Sequence, residues 1–148
     1  MGLRAFLLNK GIMTSDTEVM IRALFGKKQI APVAMTVAAT ITVDALKSGL
    51  ITGTHAAGAT QAYTLPTGTV MDAALTSHFI NNDSFDFTII NLSAAAADTI
   101  TLTAAAGFTI VGNPIIDANL IYTSWYLNAG TFRVRRTAAN TFVAYRIS

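Results

Sequence analysis

The side chains with most capacity for chemistry in this chain are two histidines, six mid-chain aspartates and three clustered arginines. His55 stands in "GTHAAG" and His78 in "LTSHF". Neither has a second histidine or a carboxylate at the spacing of a metal site or a general base. Both read as structural or solvated histidines. Asp83 and Asp86 lie close in "NNDSFDF", but the two-residue period of a strand sends them to opposite faces. That excludes a general acid–base dyad. Asn81, Asn82 and Asp83 could supply oxygens to a calcium loop; a turn closed by Asx side chains is the favoured reading. The glycines of "GTHAAG" have P-loop separation without the Gly-Lys-Ser/Thr ending. With no cysteine, neither a disulfide nor a thiolate metal site can form. We therefore expect neither an enzyme nor a cofactor or metal.

The arginines sit in "RVRR". On a strand, Arg133 and Arg135 point one way, and Val134 and Arg136 the other. Three guanidiniums could hold phosphates, with Tyr122, Trp125, Tyr126 and Tyr145 available to stack bases. The charge map supports a different use. Residues 1–30 carry +3, residues 31–130 carry −5 and residues 131–148 carry +4. Basic ends beside an acidic middle suit pairing of arginine with aspartate, within a sheet or between subunits. We expect Arg133, Arg135 and Arg136 at a subunit interface, with Trp125 as an apolar anchor there.

The elements that must position these residues are mostly strands. "AMTVAATITV" (34–43) alternates and is rich in β-branched residues, which pack well on a pleated surface. "QAYTL", "SFDFTIINL", "TITLT", "FTIV", "LIYTSWYL", "TFRVRRT" and "TFVAYRI" follow at short intervals, separated by Gly, Asn and Pro signals. Such spacing predicts an antiparallel sandwich or barrel. One short helix is expected within 66–79, where Val70, Ala73, Ala74 and Ser77 share a face. Residues 1–32 differ in texture. Ser15 and Glu18 form a capping box, Met20, Ala23 and Leu24 have helical spacing, and Gly26 is a stop. This predicts a helix over 15–25 in a separate N-terminal arm (1–32) ahead of a β domain (33–148). The arm also holds Leu3, Phe6, Leu7 and Leu8 beside Arg4 and Lys10, the composition of a segment that orders on a partner.

Hydrophobic residues make up 52%, but 25 of them are alanines, and charged residues are only 12%, about half the usual share. A surface so poor in charge suits coverage by a partner. The apolar runs are too short and too often broken by Thr to span a membrane as a helix. The start, "MGLRAFLLNKG", lacks a signal peptide's apolar length and cleavage site, and Phe6 stands where a myristoylation motif needs Ser or Thr.

The stretch from about Gln61 onward resembles the jelly-roll decoration (cement) proteins of tailed-phage heads. The carrying segments are "TLPTGTVMDAAL", "SFDFTIINLSAAAADTITLTAAAGFTIVGN" and "NAGTFRVRRTAANTFVAYRIS". The resemblance implies an all-β antiparallel jelly roll with one short inserted helix. It further implies a homotrimer on the outer capsid surface of the virion, with the major capsid protein as partner. Neither nucleic acid nor membrane is an expected partner. In such proteins the arm commonly reaches onto the capsid, which would make Leu3, Arg4, Phe6, Leu7, Leu8 and Lys10 the contact residues. Related jelly rolls in phage fibres and tails bind receptors or glycans, and that alternative stays open, with Asn81–Asp83 as its place. For the arginines the expected outcome is no submicromolar DNA affinity at low salt by fluorescence anisotropy. Tight binding that vanishes when Arg133, Arg135 and Arg136 are all changed to Ala would reverse the reading.

Overall fold

In "TITLT", Ile100 and Leu102 are buried while the three threonines stay half-exposed. That period of two builds most of the domain. The computed structural model describes residues 29–56, 59–75, 79–95, 97–118 and 128–148. The chain divides into two units, Met1–Ile30 and Ala31–Ser148, and the sheets belong to the second. Along the chain run β1 (Val33–Met35), β2 (Ala39–Thr40), α1 (Val43–Ser48), β3 (Leu50–Gly53), β4 (Thr60–Thr64) and α2 (Gly68–Ala74). Then come β5 (Ser84–Asn91), β6 (Thr99–Thr103), β7 (Phe108–Val111), β8 (Ile115–Asp117), β9 (Ala129–Ala138) and β10 (Thr141–Arg146). The helix expected at 15–25 and the strand expected at 120–127 lie outside the described residues.

The domain is mostly β and has two sheets. One has six strands in the order β1-β3-β5-β9-β10-β7; the other has four, in the order β2-β4-β6-β8. The expected antiparallel pairing needs correction. Among the described strands five neighbour pairs are parallel (β1/β3, β3/β5, β2/β4, β4/β6 and β7/β10) and three antiparallel (β5/β9, β9/β10 and β6/β8). The reason is the path. From β1 to β6 each strand is followed by one in the facing sheet, so the chain returns to its own sheet in the same direction. Parallel neighbours need such crossovers, supplied here by the facing strand together with α1 or α2.

The expectation of a single inserted helix is also corrected. α2 falls where expected, but α1 is a second helix. "AMTVAATITV" is not one strand either: it divides into β1 and β2, in different sheets, and its end enters α1. Thr42 Oγ1 accepts the Ala45 amide at 3.1 Å, and Gly49 closes α1 with φ +79°. β-branched Thr42 therefore serves as a helix cap, and alternation alone does not distinguish the two uses.

The core lies between the sheets. Ile51, Phe87, Ile89, Phe132, Val134 and Phe142 face it from the six-stranded sheet; Tyr63, Ile100, Leu102 and Ile116 face it from the other. Leu46 of α1 and Met71 of α2 close it. Phe87 stacks on Phe132 at 5.5 Å between centroids, and Phe108 on Phe142 at 5.1 Å. Threonines pair across strands: Thr64 with Thr103 at 2.8 Å, Thr60 with Thr99 at 3.0 Å and Thr88 with Thr131 at 3.1 Å between hydroxyls. These pairs satisfy side-chain oxygens without charge.

The start of α2 is pressed against two turns. A Cβ on Gly68 would overlap the Asn140 carbonyl and crowd the Gly107 Cα. Gly68→Ala must therefore displace backbone, and it is expected to destabilise the domain by about 2–3 kcal/mol. Thermal denaturation followed by circular dichroism checks this, and an unchanged melting temperature would refute the close approach.

Candidate functional site

Polar side chains gather in two places. The first is around His55, in the loop after β3. His55 is buried, and its Nε2 lies 3.1 Å from the Tyr63 hydroxyl while its Nδ1 lies 3.4 Å from the Thr36 carbonyl. The Tyr63 hydroxyl also donates to the Met35 carbonyl at 3.0 Å, and burial pushes its phenol up to about 12. Beside it, Ser93 Oγ accepts the His55 amide at 2.9 Å. Asn91 donates to the Asp98 and Ile116 carbonyls, and the Asp98 carboxylate accepts the Ala59 and Ala95 amides. Each partner named is a backbone group or a neighbouring ring. The cluster ties loops together, and His55 is structural there, as its sequence context suggests. His78 lies outside the described residues. Among the described residues no three His, Cys, Asp or Glu side chains converge to hold a metal ion, and no helix is long and apolar enough to cross a membrane.

The second place is built by β5, β9, α2 and the β9–β10 turn. Arg133 makes a two-pronged pair with Asp86, Nε to Oδ1 at 2.8 Å and Nη2 to Oδ2 at 2.9 Å. Asp86 and Arg133 are direct cross-strand partners on the exposed face, so the pair follows from register. Arg136 points the other way and makes the same kind of pair with Asp72 of α2, at 2.8 and 3.0 Å. Asp72 Oδ2 also accepts the Asn140 amide at 2.6 Å. Arg135 donates to Asn82 at 3.3 Å and lies over the Tyr145 ring at 6.0 Å, and its buried Nε has no hydrogen-bond partner among the described residues.

The Asn81–Asp83 turn is thereby spoken for. Asp83 Oδ2 accepts the Ile80 amide at 2.9 Å, Asn81 Oδ1 accepts from Arg136 at 3.2 Å, and Asn82 Oδ1 accepts from Arg135. Oxygens turned toward two guanidiniums are poorly placed for a calcium ion. Arg133 and Arg135 share the exposed face of the six-stranded sheet; Arg136 does not. Trp125 and the arm residues Leu3, Arg4, Phe6, Leu7, Leu8 and Lys10 lie outside the described residues. Asp72 and Asn140 carry the tightest contacts of this cluster, and sequence reasoning missed them. Only the alternating sign of charge along the chain pointed toward an arginine–aspartate pairing of this kind.

Arg133, Arg135 and Asp86 lie on the exposed face of the six-stranded sheet. The helices pack on the core side, so among the described elements none covers it. One row across it reads Val111, Tyr145, Arg133, Asp86. The next reads Ile147, Thr131, Thr88, Leu50. Ile147 is 48% exposed and Val111 46%. Comparison with protein-family models, curated proteins and solved structures finds no match for this chain.

The Asp72–Arg136 contact sets a pH dependence. The Arg136 hydrogen bond holds the Asp72 carboxyl below the usual carboxylate range against a smaller opposing effect of burial, with further help from the Asn140 amide. A lowered folded value means that the contribution is present above the unfolded value, about pH 4, and is lost as pH falls through the folded one. Melting temperature should fall on acidification below about pH 4. Asp72→Asn should melt lower at neutral pH and show a flatter acid limb. Identical pH profiles for the two proteins would remove the pair as a stabilising contact.

Proposed function

We propose that this chain is a structural virion protein that binds the outer surface of a tailed-phage capsid and stabilises the shell by bridging capsid subunits, without catalysis. The observation that carries the reading is the outer face of the six-stranded sheet, which no described element covers. It is broad, rich in Thr and apolar residues, and its Arg133 charge is already matched by Asp86. Such a face suits packing against protein. It suits a polyanion less well, because the Arg133 guanidinium is engaged with a carboxylate and Arg135 is the one arginine of this face that no carboxylate pairs among the described residues. The two-sheet sandwich around one core stands in for the jelly roll of the decoration proteins as an architectural analogy. The receptor- or glycan-binding alternative would use the Asn81–Asp83 turn, whose side-chain oxygens already serve Arg135, Arg136 and the Ile80 amide.

The mechanism is non-covalent. A protein that binds only the assembled shell stabilises it by mass action. Self-association lets weak contacts act together, since the second contact of a tethered pair is intramolecular. The capsid contact is assigned to the arm, where Leu3, Phe6, Leu7 and Leu8 supply an apolar segment and Arg4 and Lys10 its charge. A helix of about eleven residues is marginal alone in water and forms on a surface.

A truncation beginning at Ala31 tests the assignment. The shortened protein should keep its far-ultraviolet circular dichroism and its oligomeric mass, yet no longer sediment with capsids stripped of the full-length protein. Sedimentation at full affinity would move the gripping surface to the β domain. Failure of the full-length protein to bind any capsid would sink the reading as a whole.

A further inference from the structure

We propose that the bare face of the six-stranded sheet is a two-fold interface between copies of this chain, with its axis between β5 and β9 and along the strands. The inference rests on reading the protein as a self-associating structural component. It adds the surface and the symmetry, and it favours two copies over the three that the family resemblance implies.

The argument is self-complementarity. In face-to-face packing a two-fold axis lies in the plane of contact, so each row of the face meets its own reflection about the axis. With the axis between β5 and β9, Arg133 lies over Asp86 of the second copy and Asp86 over its Arg133. The two pairs within the chains then become a four-charge ring of alternating sign. In the next row Thr131 meets Thr88, and Ile147, the residue after β10, meets Leu50 of β3. In the row beyond, Ile90 meets Ala129. In these three rows the pairs next to the axis match in kind, charge with opposite charge, hydroxyl with hydroxyl and apolar with apolar; in the row on the far side of Arg133, Arg135 meets Ser84. An axis placed between β9 and β10 would instead set Arg133 over Tyr145 and leave Asp86 facing the Val111 edge, so the match is specific to one axis.

Two further observations favour a cover of this kind. All-parallel sheets are ordinarily buried on both faces; the β1-β3-β5 part of this sheet is parallel, and none of the described elements covers its outer side. Its size is also of the right order. Six strands at about 4.8 Å spacing span about 24 Å. Three rows about 7 Å apart along the strands add about 20 Å of length, so two such faces bury at most on the order of 1,000 Å² in total, the threshold for a specific interface.

The absence of native cysteine gives a clean test. Leu50 and Ile147 lie three strands apart in one sheet, about 14 Å, too far for a disulfide within one chain. They are opposite each other across the proposed axis. Full-length protein carrying Leu50→Cys and Ile147→Cys should form a covalent dimer on mild oxidation, seen on a non-reducing gel, while either single variant stays monomeric on the gel. Ile147→Lys changes an exposed residue and guards against misfolding of the double variant. Light scattering at micromolar concentration should give twice 15.6 kDa for the wild type and a single chain for Ile147→Lys with unchanged circular dichroism. The interface is overturned if the double variant fails to cross-link, if a single variant cross-links as well as the double, or if Ile147→Lys keeps the wild-type mass. A wild-type mass of three chains or of one also overturns it. Capsid binding is measured separately by sedimentation, so the interface can fail while that reading stands.

Discussion

One apolar layer, shared by two sheets that exchange the chain at almost every strand, governs the rest of the domain. Each crossing adds an inward residue from one sheet and then from the other: Ile51, Tyr63, Phe87 and Ile100 along β3 to β6. Burial of such side chains contributes roughly 1.5–3 kcal/mol each. The layer therefore sets which residues of every strand point inward, and a one-residue slip would expose the whole set. The parallel pairing, the helices that serve as crossovers and the threonine pairs all follow from closing that layer from both sides. Its outer consequence is the bare face. The larger sheet turns Ile51, Phe87, Ile89, Phe132, Val134 and Phe142 inward, and among the described elements none covers its other side, where Leu50, Ile90, Arg133 and Tyr145 lie.

The charges follow the same geometry. Asp86 and Arg133 are cross-strand neighbours because β5 and β9 are in register through Phe87 and Phe132. Arg136 reaches Asp72 because α2 is held against the β9–β10 turn, where Gly68 and Gly107 allow backbone to approach backbone. The basic C-terminal stretch and acidic middle of the sequence are thus partly neutralised inside one domain. Exposed ion pairs contribute little to stability on their own. Their larger effect is to offset the Arg133 charge on the sheet face, where Arg135 keeps its own, so that what the face can recognise depends on shape and on the order of its rows.

Much of this was legible in the sequence, within limits that have physical causes. The strands with clear two-residue alternation over four or more residues, β4 to β7, β9 and β10, were found close to their observed bounds. β3 was missed because its inward positions in "LITG" are Ile51 and Gly53, so apolar character does not alternate, and β8 because "IID" is too short to show a period. α1 was missed because Thr42 and Val43 are β-branched, and nothing local says that Thr42 caps a helix. Pairing direction was misjudged because alternation reports which face a residue takes and carries no information about the neighbour's direction. At the polar cluster the kind of pairing, arginine with aspartate, could be read from the charge map. The partners could not: Asp72 and Arg136 are 64 positions apart and meet only through the fold.

The edges bear on how such a domain associates. Open strand edges invite pairing with another chain, and proteins limit this by keeping edge strands short. Here the four outer strands are β1 with three residues, β7 with four, β2 with two and β8 with three. The end of β7 is further turned away by Gly112 at φ +99°. Hydrogen-bonded addition of a neighbour at any of these edges would form only a few bonds, and it would leave the apolar face in water. Face-to-face contact instead removes that surface and asks nothing of the backbone, whose donors and acceptors in the central strands are already paired. For a chain this poor in charge and this rich in sheet, association through the face is the route that the fold leaves open.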